Sequence, residues 1–182
     1  MNVLSLFDGM SCGQIALERA GIKVDNYYAS EIDKYAIKVT QANYPSTIQV
    51  GDITKLQPGY LRSHIDLLIG GSPCQGFSFA GKQLNFDDPR SKLFFEYVRI
   101  LNELKKHNPN IKFLLENVKM KQEYRDIMSE CLGVEPIEIN SALVSAQNRK
   151  RLYWTNIPNV RQPEDRNIYL SNIIESDFAF TN

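Results

Sequence analysis

A doubly wound α/β fold with a mostly parallel sheet is the fold class this chain predicts, on three observations. Short apolar runs recur along the sequence and alternate with stretches whose apolar residues return at helical spacing. A glycine-bearing turn joins the first apolar run to the first helical stretch, an arrangement in which backbone N–H groups and the helix dipole converge. Residues able to do chemistry follow the apolar runs, where open α/β sheets carry their ligands, outside the carboxyl ends of the strands.

At 182 residues the chain suits one domain with a real core. Lys+Arg 21 balances Asp+Glu 21, so no global field marks it as a nucleic-acid binder and any such contact must be local. Three widely spaced cysteines argue against a disulfide framework, and two histidines without C-x-x-C argue against a metal site. No apolar segment approaches the roughly 18 residues of a membrane span, and the N-terminus lacks the pattern of a signal peptide. A soluble chain in a reducing, cytoplasmic compartment is expected, with no membrane partner.

The first strand is Val3-Leu4-Ser5-Leu6-Phe7, closed by Asp8-Gly9-Met10-Ser11-Cys12-Gly13. Ile15, Ala16, Leu17 and Ala20, interleaved with polar residues, then make an amphipathic helix that Gly21 ends. The turn reads G-x-x-x-G and not G-x-G-x-x-G, so by itself it is plain punctuation as readily as a cofactor cradle. Tyr27 to Ser30 is a second strand ending in Glu31-Ile32-Asp33, and Tyr35, Ala36, Val39 and Ala42 outline a second helix. Glu31, about 20 residues past the turn, is placed to accept from ribose hydroxyls, or else to cap the helix, for which Asp33 is the better residue. Thr47 to Val50 is a third strand ending in Gly51-Asp52-Ile53; Asp52 either accepts from an exocyclic amine or bonds its own turn.

Ile65 to Ile69 is a buried strand that leads into Gly70-Gly71-Ser72-Pro73-Cys74-Gln75-Gly76-Phe77-Ser78. Cys74, just past a strand end, is a nucleophile or a small buried hydrophobe. The polar stretch Phe79 to Arg90 is long for a structureless connection and reads as a lid. Leu93, Phe94, Tyr97, Val98, Ile100 and Leu101 form a helix with a core-facing stripe, ended by His107-Asn108-Pro109. Ile111 to Leu115 is the fifth strand, with Glu116-Asn117-Val118 at its end. Neighbouring parallel strands end on one edge, so Glu116 can approach Cys74, and a carboxyl group flanked by apolar sheet suits a proton donor near neutral pH. Tyr124, Ile127, Met128 and Leu132 give a further helix and Val134 to Ile139 a further strand. If Ser145 to Trp154 is extended, Gln147, Arg149 and Arg151 share one face, suited to phosphate or a base carbonyl, or forming only a solvated edge. Ile168 to Ile174 is a weak segment.

In this order, Phe7-Asp8-Gly9, Glu31, Gly51-Asp52, Pro73-Cys74-Gln75, Glu116-Asn117-Val118 and Gln147-x-Arg149-x-Arg151 resemble the motifs of the DNA cytosine-5 methyltransferase family. Phe77-Ser78-x-x-Gly81-Lys82-Gln83 through Asp88-x-Arg90 also looks like its bacterial and phage modification enzymes. The resemblance covers roughly residues 2–155 and implies a Rossmann-like S-adenosylmethionine-dependent methyltransferase fold with an antiparallel hairpin near the end. It implies S-adenosylmethionine as cofactor, held by Phe7, Asp8, Gly9, Glu31, Ile32, Asp52, Ile53 and Pro73. It implies a flipped cytosine in DNA as substrate, attacked by Cys74 with Glu116, Arg149 and Arg151 as catalytic partners and contacted by Gln75, Ser78, Arg90 and Asn117. Two departures stand out. Ser11-Cys12 occupies the place of the family's usual glycines, and the family's recognition region has no counterpart after Trp154. The expectation is therefore a catalytic core at residues 1–156 and an extension at 157–182, with target choice supplied by a second chain or a missing part. A regulatory binding protein on the same fold and an RNA (tRNA) cytosine-5 methyltransferase are the alternatives the resemblance leaves open.

Overall fold

A computed structural model describes residues 1–61, 63–73 and 89–174, with the backbone alone for 89–91. Among these residues seven strands form one sheet: β1 (Asn2–Leu6), β2 (Asn26–Ser30), β3 (Ile48–Gln49), β4 (Leu67–Gly70), β5 (Lys112–Val118), β6 (Ile137–Asn140) and β7 (Lys150–Thr155). Their order is β3-β2-β1-β4-β5-β7-β6, parallel except where β7 runs antiparallel to both β5 and β6. The helices are α1 (Cys12–Arg19), α2 (Lys34–Asn43), α3 (Pro89–His107) and α4 (Gln122–Leu132). The expected doubly wound sheet with its closing antiparallel hairpin is the architecture observed.

The inner strands are buried on both faces, as parallel strands covered by helices must be. In β1, Leu4 and Leu6 face one side with Phe94, Tyr97, Ile100 and Leu101 of α3 and Met128 and Leu132 of α4. Val3 faces the other with Leu17 of α1, Tyr27, Ala29 and Leu67. The aromatic stripe of α3 is core, as its spacing predicts. Trp154, near the end of β7, has no exposure, its indole N–H donating to Ser129 Oγ at 3.0 Å.

Boundaries differ from the sequence reading in instructive places. Phe7 leaves β1 because its φ of 58° breaks the strand. The third strand pairs over two residues only, Ile48–Gln49. α3 begins at Pro89, two residues before the expected Ser91, with proline where a helix's first turn tolerates it. Of the stretch 145–154 only residues 150–154 are strand, within β7, because Asn140 draws the preceding residues into a turn, its Oδ1 accepting from Ala142 and Arg149 N–H groups. Gln147 and Arg149 thus lie outside the strand that carries Arg151.

Candidate active site

β1, β2 and β4 end side by side, in register Leu6↔Ser30 and Leu6↔Gly70. This juxtaposition brings Phe7, Glu31 and Pro73 together. With Ser30, Ile32, Asp52, Ile53 and Leu93 they line a cavity of about 210 Å³. Six of the eight residues expected to hold a cofactor line it, while Asp8 and Gly9 do not. Ser30 and Leu93 were not singled out from the sequence. Ser30 is a buried strand residue whose hydroxyl donates to Gly51 O at 2.7 Å, and Leu93 reads from the sequence as helix core at the end of the family-like stretch, with no site role.

The polar groups of this cavity are held in place by the chain's own backbone. Glu31 Oε2 accepts from the Gly9 N–H at 2.8 Å, and Oε1 from the Ile32 and Asp33 N–H groups at 2.7 and 2.9 Å. Asp33 caps α2 through Tyr35 and Ala36, so the cap falls to Asp33 and Glu31 is free to bridge the first turn to the end of β2. Asp52 caps the 3-10 turn Ile53–Lys55, with Oδ1 accepting from Thr54 N–H and Oγ1, both at 2.9 Å. The Thr54 backbone N–H, then its hydroxyl, holds this carboxyl below its usual range. Arg99 on α3 donates to Ile53 O at 3.2 Å and Leu56 O at 3.0 Å, anchoring that wall of the cavity. Ile32 stands 75 % exposed at the rim.

Asp8 has another task. Its Oδ1 accepts from Tyr27 O–H at 2.7 Å and its Oδ2 from Ser11 O–H, so both oxygens shape the turn.

On the far side of β4, the sheet places Glu116 beside Arg151. Glu116 pairs with Tyr153 across β5 and β7, and Arg151, two residues away, is its diagonal neighbour on the same face. Arg151 Nε lies 2.8 Å from Glu116 Oε1; the N–H is not aimed along this contact, so it is an ion pair without hydrogen-bond geometry. The apolar surroundings expected for Glu116 are therefore replaced by a guanidinium. A Cβ on Gly71 would come within 3.1 Å of Glu116 Oε2, which sets the carboxylate against the backbone leading to position 74. Burial and the Glu116 charge push the Tyr153 phenol up, a neighbour the sequence reading did not include.

Asn117 is 1 % exposed and fully engaged: its amide donates to Ser72 Oγ at 3.0 Å and Ser72 O at 3.3 Å. It ties β5 to the residue before Pro73. Arg149 is exposed. Cys74, Gln75 and Ser78 lie outside the described residues, as does the side chain of Arg90. No group of three or more His, Cys, Asp or Glu that could hold a metal occurs among the described residues. A larger opening of about 480 Å³ between Gln57, Tyr60, Arg99 and His107 carries none of the expected residues, so convergent chemistry and not size selects the site.

A family model described as C-5 cytosine-specific DNA methylase matches residues 1–129. The type II methyltransferase M1.ScrFI of Lactococcus lactis subsp. cremoris is 39 % identical over 163 residues, 83 % of this chain and 40 % of its own length. The orphan methyltransferase M.SPRI of Bacillus phage SPR is 37 % identical over 166 residues, 84 % of this chain and 37 % of its own. A crystal structure of a mutant Spodoptera frugiperda DNMT2 superposes with a TM-score of 0.72 at 27 % identity, covering 97 % of this chain and 60 % of that one. The chain thus spans about 40 % of the length of such curated relatives.

Proposed function

The chain belongs to the C-5 cytosine-specific DNA methylase family, and from that premise we propose that it transfers a methyl group from S-adenosylmethionine to carbon 5 of a cytosine flipped out of DNA. The observation that carries this reading is the cavity lined by Phe7, Glu31, Ile32, Asp52, Ile53 and Pro73, one strand end away from the Glu116–Arg151 pair.

The cavity's chemistry fits a nucleoside. Its apolar members Phe7, Ile32, Ile53 and Leu93 suit the faces of a purine. Glu31 Oε2 accepts one backbone N–H and keeps a lone pair for a ribose hydroxyl. Asp52 Oδ2, with no hydrogen bond among the described residues, suits an exocyclic amine. At about 210 Å³ the space is below the roughly 300–1,000 Å³ of a whole-ligand pocket, consistent with enclosing the adenosine end alone. When bound, the sulfonium supplies an electrophilic methyl group.

Carbon 5 of cytosine is a poor nucleophile, so Cys74 adds as thiolate to carbon 6 and makes carbon 5 electron-rich. Glu116, carrying its proton, donates it to ring nitrogen 3 and so draws off the developing charge, with Arg151 holding the carboxyl group toward the Gly71 side. Arg149, Gln75, Ser78 and Arg90 contact base and phosphate, and Asn117 holds the Ser72–Pro73 backbone from which Cys74 follows. Loss of the carbon 5 proton then expels Cys74. Residues 1–156 form this catalytic unit, and target choice comes from residues outside it, in a continuing segment or a second chain.

A duplex carrying 5-fluorocytosine, incubated with donor and with the segment or second chain that supplies target choice, tests the reading: a covalent adduct that Cys74→Ala abolishes is expected. An equal adduct with matching RNA and none with DNA would move the substrate to RNA. No donor binding by calorimetry and no adduct with either would refute the enzyme reading in favour of a binding protein.

A further inference from the structure

The first turn carries a backbone feature that the donor reading leaves unexplained. Phe7, Gly9 and Ser11 have φ of 58°, 59° and 60°. Glycine enters this left-handed region freely, whereas a residue with a Cβ does so only when its surroundings compel it. Ser11 is fully buried and stands at the N-cap of α1, yet its side chain makes no bond to the helix. Capping is therefore not what compels it.

Its hydroxyl is held from two sides. It donates to Asp8 Oδ2, whose other oxygen accepts from Tyr27 O–H at 2.7 Å. From α2, Thr40 Oγ1 lies 3.2 Å from Ser11 Oγ and 3.3 Å from Gly9 O, one proton with two acceptors in reach. Thr40 is the buried residue of α2 and has no exposure. The N–H of Gly9, in the same turn, is the group that Glu31 accepts at the cavity.

We propose that Thr40 is a positioning residue for the donor site: its hydroxyl, through Ser11 and Gly9, holds the turn in the left-handed form that presents the Gly9 N–H to Glu31. The inference rests on the donor reading above. It makes α2, whose other residues are half-buried or exposed, a structural arm of a site it does not line.

Titration calorimetry of the full chain with S-adenosylmethionine tests it, alongside thermal melts and the Cα and Cβ chemical shifts of Ser11. Thr40→Val, which keeps the shape and removes the hydroxyl, should weaken donor binding about tenfold. Thr40→Ser should stay within about threefold of the parent, since the hydroxyl returns. Adding Ser11→Gly to Thr40→Val should recover binding to the level of Ser11→Gly alone, because glycine reaches the conformation unaided. Binding by Thr40→Val within about twofold of the parent, or no recovery by Ser11→Gly, overturns the proposal. If Thr40→Val does not fold, the double variant decides: it folds and binds, or the proposal fails. A parent chain that does not bind donor removes the donor reading instead. The Ser11 shifts then judge the turn by itself, left-handed in the parent and displaced in Thr40→Val if the proposal holds, unchanged if it does not.

Discussion

Two tyrosines and one ion pair show how single side chains set this molecule's behaviour. Burial, and then the Asp8 carboxylate, push the Tyr27 phenol far above its ordinary value, and burial alone does the same to Tyr97. The unfolded chain releases both protons as pH rises through about 10 while the folded chain keeps them. The folded state then binds more protons, so stability falls with rising pH by up to about 1.4 kcal/mol per unit for each tyrosine. Tyr97 O–H also lies buried with no hydrogen-bond partner among the described residues. Tyr97→Phe is expected to leave stability at pH 7 unchanged or raised by up to about 1 kcal/mol, and to make the alkaline loss shallower. Urea melts at neutral pH and above pH 10 check both, and a clear loss at pH 7 would contradict the unpaired hydroxyl. At the ion pair, Glu116→Gln keeps shape and removes charge. Adduct formation should slow by roughly 10²–10⁴-fold while donor affinity stays within about twofold, separating its role from that of the donor cavity.

Elements meet closely here because certain positions lack a side chain. A Cβ on Gly70 would come 2.9 Å from Leu6 O and 3.1 Å from the Tyr97 ring, pinned between β1 and α3. Since a backbone carbonyl in a sheet cannot swing aside, Gly70→Ala should cost about 1–3 kcal/mol, read as a lower urea midpoint with unchanged slope. The link from β5 to β4 through Asn117 and Ser72 is polar and buried. Asn117→Ala should slow adduct formation at least about tenfold while leaving donor affinity nearly unchanged, because it acts on the backbone before Pro73 and not on the cavity. Element identities were largely legible in the sequence: the apolar runs at Val3, Tyr27, Ile65 and Ile111 all fall in or beside inner strands, and the Asp33 cap is where its type predicted. Elements were misjudged where a backbone angle or a side-chain-to-backbone bond decides the outcome. The break at Phe7 depends on φ, and the late start of β7 depends on Asn140, neither of which leaves a periodic trace.

For the whole molecule, the proposed donor cavity bears on stability. Donor that binds only the folded chain must stabilise it. At about 100 times its dissociation constant the gain is about 2.7 kcal/mol, or roughly 5–10 °C in melting temperature for a chain of this size. A melt unmoved by saturating S-adenosylmethionine would contradict the assigned cavity. No helix among the described residues is long and apolar enough to cross a membrane.

What the sequence determined by itself was the inventory and its order: a carboxylate after the second strand, Pro-Cys after the fourth, Glu-Asn at the end of the fifth, arginines near the last. Those signals are local, carried by strand periodicity and turn chemistry over a few residues. Only the tertiary structure decided which of them meet. That Arg151 faces Glu116 follows from the insertion of β7 between β5 and β6. That Thr40 supports Ser11 follows from the way α2 lies against the first turn. Such contacts join residues about thirty positions apart through the order of strands and the packing of helices. No single-residue spacing encodes that order, because it is settled by how all the apolar faces are buried at once.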